Sequence, residues 1–424
     1  MRKFFILLKK EIRELLTLQL IVPLLLSGLL FFSVGTILSS EQKKNAKPIE
    51  ISVVDQDQTA DSKLLIGILR DLKVDVTVSA ETDLQQALKQ GRQAKSNSLL
   101  IIPAGFEANL DSGKSSPVSS YVVISNFSLM GNSNTAAIGI YLKSASDLLS
   151  HSLITQNSNS DNASFLQQPI KVDDYVMIGD RTVATSPETV INFISNQTVF
   201  IPTILFFVII FAAQMIATSI ASEKENKTLE TLLTVPISRK AIVIAKMMAA
   251  GFVALLASLI NLVGFRAYMG GFSSGEVKAE GLSTVVNQLG LTWTPTNYIL
   301  LGISLFVGIL VALSIALILG AFAGDIKGVA GLLTPLSALI TLPYFLTTFI
   351  NINTATPVLK YITLTIPFSH IFMTAPNLFL HNLSAVWFGI LYQFIWFVVF
   401  VAIAVRIFST EKILVMKLNF FTKK

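Results

Sequence analysis

Five stretches of this chain contain no Asp, Glu, Lys or Arg: residues 15–40, 189–222, 281–324, 328–359 and 361–405. A further apolar run, Ala241–Phe265, carries a single charge, Lys246. About 20 apolar residues, rising 1.5 Å each in a helix, cross the hydrocarbon of a bilayer. Each stretch is long enough, and a chain that is 52% hydrophobic and 14% charged departs far from a soluble enzyme. The pattern predicts an α-helical polytopic membrane protein with six transmembrane helices. They fall near Leu18–Leu38, Val199–Ala221, Ala241–Phe265, Ile299–Ala323, Leu332–Ile350 and Val386–Val405. The last gap is longer than one helix needs. Its first part holds Pro367 and Pro376, and fits either a re-entrant or interfacial hairpin or a plain loop.

Orientation follows from Lys and Arg, which favour the cytoplasmic side. With the N-terminus inside, the inner segments hold sixteen Lys and Arg and the short outer loops only Arg266, Lys278 and Lys360. Both termini are then cytoplasmic. The segment 41–197 holds thirteen Lys and Arg against seventeen Asp and Glu. Segments of that length translocate largely regardless of charge, and its acidic balance argues against nucleic acid. The division that results is an amphipathic interfacial helix over 1–17, a first membrane helix over 18–41 and an extracytoplasmic domain over 42–197. Membrane helices two to six follow over 198–408, with a charged helical segment at 222–239, and then a basic cytoplasmic tail over 409–424. In the first of these, Phe4, Phe5, Leu8, Ile12, Leu15 and Leu16 recur at helical spacing opposite Lys3, Lys9, Lys10 and Arg13, as in helices that lie in the headgroup layer.

The segment 42–197 is long enough to bury its own core. Strands are predicted at Ile49–Val54, Val74–Val78, Leu99–Ile102 and Val118–Ile124, and helices at Asp61–Leu72, Leu84–Gln90, Gly105–Leu110 and Asn134–Leu153. The alternation predicts a large α/β domain with a partly parallel sheet, between helices one and two. DQDQTADSK after the first strand lacks the glycine-rich turn of a dinucleotide fold.

Between the second and third apolar runs lies a charged segment, EKENKTLETLLTVPISR, from Glu223 to Arg239. Ser222 and Glu225 have the spacing of a capping box, which predicts a helix starting at the membrane surface. Glu223 and Lys227 are one turn apart and can pair. Leu229, Leu232 and Leu233 give that helix an apolar edge, and Pro236 ends it. An ordinary loop and a docking helix for a cytoplasmic partner both fit these features.

The run EKENKTLETLLTVPISRKAIVIAK resembles the signature of the type-2 ABC exporter permeases. Glu223, Glu225, Thr228, Leu229, Glu230, Leu232, Leu233, Pro236, Ser238, Arg239 and Lys246 occupy the positions of that signature. Lys227 stands where the family often has Gly, which places the likeness nearest the sodium-efflux and antibiotic-efflux branch. The resemblance implies the membrane subunit of an ATP-driven exporter, built from two permease chains (a homodimer or related heterodimer) and two copies of a separate cytoplasmic ABC ATPase that binds the ATP. It implies an ATPase-coupling role for Glu223, Glu225, Thr228, Leu229, Glu230, Leu232, Leu233, Pro236 and Arg239, and contact between the N-terminal helix and the ATPase.

Absent motifs limit the chemistry. There is no G-x-x-x-x-G-K-[ST], so the chain has no phosphate-cradling loop of its own. Cysteine is absent, and His151, His370 and His381 show no metal-ligand spacing and are expected at surfaces or interfaces. No cofactor or metal is expected in the chain itself. The spans hold almost no ionisable groups, whereas an ion-coupled carrier needs acidic groups at depth. Gly320, Gly324 and Gly328, at four-residue spacing, are expected to let helices approach closely. The alternative function is a membrane-anchored sensor or assembly protein whose outer domain binds a ligand.

Overall fold

The computed structural model describes residues 49–79, 98–124, 127–156, 168–226, 251–264, 282–353 and 355–409, with isolated positions at 32, 34–37, 39, 245, 249 and 266. The expected interfacial helix, most of the first span, the helix expected at Leu84–Gln90 and the tail lie outside them.

Six strands form one mixed sheet: β1 (Glu50–Asp55), β2 (Asp75–Val78), β3 (Ser98–Ile102), β4 (Ser116–Val123), β5 (Ile170–Ile178) and β6 (Arg181–Ala184), in the order β2-β1-β3-β4-β5-β6. β1 pairs in parallel with β2 and β3, and β4 with β5, while β3–β4 and β5–β6 are antiparallel. Helices α1 (Ala60–Asp71), α2 (Phe106–Asp111) and α3 (Leu129–Gln156) accompany it. Alternate strand residues Ile51, Val53, Leu100, Ile102, Val118, Val122 and Val176 join Leu65, Leu69, Phe106, Leu142 and Leu149 of the helices in one buried cluster. The period-two side-chain alternation of a strand makes this possible.

The acidic loop after β1 is a knot of side-chain-to-backbone bonds. Asp55 accepts from the N–H groups of Asp57 at 3.1 Å and Gln58 at 2.9 Å, and from the Ser62 hydroxyl at 2.8 Å. Asp57 reaches across to the N–H groups of Gly105 at 2.6 Å and Glu107 at 3.0 Å, joining the β1 and β3 loops. Burial opposes its ionisation. The Thr59 hydroxyl and the N–H groups of Glu107, Gly105 and Phe106 outweigh that and hold the carboxyl below its usual range.

From β6 the chain enters α4 (Pro187–Glu225), 39 residues without a break. It is followed by α5 (Gly251–Gly264), α6 (Leu282–Gln288), α7 (Pro295–Phe322), α8 (Ile326–Phe349), α9 (Pro357–Thr365), α10 (Pro367–Phe379) and α11 (Leu383–Ser409). Among the described residues, α4, α7, α8 and α11 are each long and apolar enough to cross a membrane, and α9 with α10 makes a fifth candidate, bent by 102°. Helix α5 is the described part of the expected third span. Helix α7 lies at the centre, packed on α4, α11, α8 and α10. A helix apolar all round belongs in such a position.

The bend between α9 and α10 is built from side chains. A helix that stops in an apolar layer strands its last carbonyls. The Ser369 hydroxyl donates to the Thr363 carbonyl, His370 Nε2 bonds the Leu364 carbonyl at 3.0 Å, and the Tyr392 hydroxyl donates to the Thr365 carbonyl at 2.8 Å. A carbonyl only accepts, so Nε2 carries the ring proton. His370 is therefore no surface residue: it is 7% exposed and packs its ring on Tyr392 and Phe388. A one-way chain holds α10 in place. Gln393 Nε2 donates to Ser304 at 3.4 Å, Ser304 to Thr374 at 2.8 Å, and Thr374 to the His370 carbonyl at 2.8 Å.

Sheet and bundle meet at an aromatic joint. Phe127 stacks on Phe379 at 5.4 Å, and Trp293 meets Phe379 edge-on at 5.3 Å. Arg181 of β6 lies over Gly290, whose φ of 73° and missing side chain the turn after α6 requires. Helix α4 also packs on β5 and α3, and its first turns bury Val190, Ile191 and Ile194 in the shared core. The boundary expected at 197 thus falls inside a helix. A fragment of residues 42–197 is expected to melt cooperatively. One ending at 186 loses three apolar side chains worth about 1.5–3 kcal/mol each when fully buried, and is expected to melt much lower or not to fold. Equal melting temperatures by circular dichroism would show that α4 adds nothing to the sheet unit.

Candidate functional site

The far end of α4 carries the charged segment. Ser222, Glu223, Lys224 and Glu225 form its last turn, and Asn226 is the C-cap, with its N–H bonded to the Ser222 carbonyl at 2.9 Å. This corrects the capping-box expectation. Ser222 and Glu225 close a long helix and do not open a new one, because the helical run continues about one turn past the last lipid-compatible residues. Thr228, Leu229, Glu230, Leu232, Leu233, Pro236 and Arg239 lie outside the described residues, as does Lys227, the expected partner of Glu223.

Two side chains of that turn reach neighbouring helix ends. Lys224 Nζ donates to the Ala321 carbonyl in the last turn of α7 at 2.8 Å. Glu225 Oε2 accepts the Ile326 N–H, the first of α8, at 3.1 Å. A cation at a helix C-terminus and an anion at an N-terminus both complement the backbone dipole. Asp325 caps α8 from within, accepting the Gly328 N–H at 2.7 Å. Glu225, expected to face a partner, is thus engaged inside its own chain through one carboxylate oxygen. Glu223 is half-buried in the same turn.

The three glycines do not form one stripe. Gly320 lies in α7, Gly324 in the turn and Gly328 in the first turn of α8. A Cβ on Gly320 would stand 2.9 Å from the Ala217 carbonyl oxygen and 3.0 Å from its Cα, so α4 and α7 touch backbone to backbone there. A Cβ on Gly328 would meet only the Asp325 carboxylate, at 3.1 Å. Sequence reasoning missed Lys224 and Asp325. Asp325, three residues before Gly328 and just ahead of an apolar run, carried the signal of an N-cap; Lys224 carried none beyond its place beside a span.

Elsewhere in the bundle a small apolar cleft lies between α4, α5 and α7, lined by Ile201, Leu205, Asn261, Leu262, Leu301 and Leu305. Asn261 spends its amide N–H on the Ala257 carbonyl at 2.8 Å. Among the described residues no group of three or more His, Asp or Glu could hold a metal ion.

A chain of several apolar helices with a sheet unit on one of them and a charged turn at that helix's far end is a polytopic membrane protein. The profile of the family described as "ABC-2 family transporter protein" matches residues 13–406, and the chain belongs to that family. It is accordingly an ABC transporter permease, a multi-pass membrane subunit of a family that works with an ABC ATPase. Among solved structures it is similar to "a domain of a putative ABC type-2 transporter from Thermotoga maritima MSB8", at 21% identity and a TM-score of 0.30, over 34% of this chain and 97% of that one. No curated protein matches the chain.

Gly320→Ala is expected to lower the stability of the purified protein by about 1–3 kcal/mol, since the methyl must force two backbones apart. Gly328→Ala is expected to stay within about 1 kcal/mol of the parent, because a small shift of the Asp325 carboxylate relieves the contact without giving up its cap and Ala favours the helix. Thermal unfolding in detergent compares the two; equal losses would remove the α4–α7 contact as the reason.

Proposed function

We propose that this permease is the membrane subunit of an exporter, moving its substrate outward with ATP hydrolysed by a separate cytoplasmic ATPase. The observation that carries the reading is the single helix α4. It joins the sheet unit at one end to the Glu223–Arg239 segment at the other. Basic residues crowd the segments at that second end, so it faces the cytoplasm and the sheet unit lies outside. The ATPase docks on Glu223–Arg239, through Thr228, Leu229, Glu230, Leu232, Leu233, Pro236 and Arg239, and two permease copies share two ATPases. Neutral spans support an energy source outside this chain, because an ion-coupled carrier binds its ion on charged groups at depth.

The natural absence of cysteine makes topology easy to test. Lys63→Cys, at an exposed site on α1, is expected to react with an impermeant maleimide added outside intact cells. Labelling from the cytoplasmic side alone would invert the orientation.

Docking is tested at Glu230, since Glu225 also serves the helix ends. A reversed charge in an interface costs about 2–5 kcal/mol. Glu230→Lys is expected to leave expression and insertion intact while the ATPase no longer co-purifies or no longer drives transport. Normal co-purification with normal ATP-dependent transport would remove this segment as the coupling element.

A further inference from the structure

We propose that Lys224 and Glu225 are positioning residues that lock the ends of α4, α7 and α8 into one block, so that the α7–α8 turn (residues 323–325) follows the segment after α4 when that segment is displaced. The inference rests on reading Glu223–Arg239 as the ATPase-docking segment.

The argument begins with what the two charges touch. Exposed ion pairs join two flexible side chains and hold little. Here both charges reach helix backbone. Lys224 meets the backbone of α7 at its C-terminal turn, and Glu225, the next residue, meets the backbone of α8 at its first N–H. Two successive residues on one helix turn thus grip two different helices, each with the sign its terminus attracts. Hydrogen bonds to charged groups are shorter and stronger than neutral ones, and a displaced α4 cannot leave either neighbour without breaking one.

Packing closes the same block from the other side. One to two turns back from Lys224, Ala217, Ile220 and Ala221 of α4 face Leu317, Gly320 and Ala321 of α7, and all are buried, with the backbones in contact at Gly320. With no side chain between the two backbones, α4 and α7 have no layer on which to slide. Asp325 then fixes the turn to α8. Further along α8 the restraint relaxes. Pro335 and Pro343 lie inside that helix, and each lacks the N–H that would bond the carbonyl four residues earlier. Displacement of the block is therefore expected to bend α8 at these prolines rather than shear it from α4.

The test uses the full chain, co-expressed with its ATPase, and needs no knowledge of the substrate. Gly324→Cys supplies one thiol on the turn for a spin label, whose mobility is recorded with and without ATP and vanadate. In the otherwise parental chain nucleotide is expected to change the label's mobility. With Lys224→Met that response is expected to fall about fivefold, the low end of usual coupling effects, while the ATPase still co-purifies. Lys224→Arg is expected to restore it. Should Lys224→Met not fold, Glu225→Gln gives the second reading, keeping an acceptor for the Ile326 N–H but removing the charge, with a partial loss expected. A parental response in folded Lys224→Met bound to ATPase overturns the proposal. Loss of ATPase binding in that variant overturns it too, by making Lys224 part of the docking face. Failure of the ATPase to co-purify with the Gly324→Cys parent would instead overturn the docking reading beneath it.

Discussion

A helix cannot stop inside hydrocarbon without leaving its last carbonyls unbonded, and α4 obeys this constraint by not stopping. Its 39 residues, at about 1.5 Å each, make a rod nearly twice the thickness of the apolar layer. The surplus is used at both ends. The first turns supply Val190, Ile191 and Ile194 to the core beneath the sheet, and the last turn supplies Lys224 and Glu225 to the ends of α7 and α8. Sheet, bundle and charged turn are three regions of contact along one rigid element.

The same constraint explains where the polar side chains are. Where the chain does break between two apolar helices, at Ile366, the freed carbonyls of Thr363, Leu364 and Thr365 receive Ser369, His370 and Tyr392. These donors come from two helices, so the bend is shaped by α10 and α11 together. A carbonyl left bare there would cost several kcal/mol. His370 thereby acquires a structural task that accounts for its burial. The neutral chain from Gln393 through Ser304 and Thr374 ends on its carbonyl and ties three helices to the same point.

Much of this was legible in the residue order, and the reasons differ by region. Long uncharged stretches announce spans because charge in hydrocarbon is costly, so Ile299–Ala323 and Leu332–Ile350 fall within a few residues of α7 and α8. Strands β1 to β4 were visible as short apolar runs between turn residues. β5 and β6 were missed because Asp173 and Asp174 interrupt the first of them, although Gly179-Asp180 between two β-branched runs carried a hairpin signal. Gly179 has the positive φ, 60°, that such a turn asks of glycine. The bend at Ile366 was half visible in Pro367, but its angle depends on Tyr392, some 26 residues away, which no local pattern connects to it. The charged turn was misread for a related reason. Serine three residues before glutamate suits a helix start, yet the choice between start and end is made by α7 and α8, whose termini lie about a hundred residues further along the chain.

The distribution of charge then bears on how energy enters. Within the uncharged stretches the buried polar groups are neutral: Ser304, Thr374, Ser369 and His370 satisfy backbone or one another, while Gln197, Thr198 and Thr348 keep polar atoms with no hydrogen-bond partner among the described residues. Formal charge appears where a span meets its end, and at α4 it is spent on helix termini. Among the described residues the bundle has no buried carboxylate whose protonation or ion binding could shift one arrangement into another. It does have a rod gripped at both ends, a seam at Ala217 and Gly320 that resists sliding, and prolines in α8 where bending is easiest. A push on the end of α4 is the form of work this architecture transmits best, since a stiff helix passes displacement along its length while the proline sites absorb the change in shape. On the proposed docking of the ATPase, a partner acts on the segment after Glu225 rather than on the interior of the bundle.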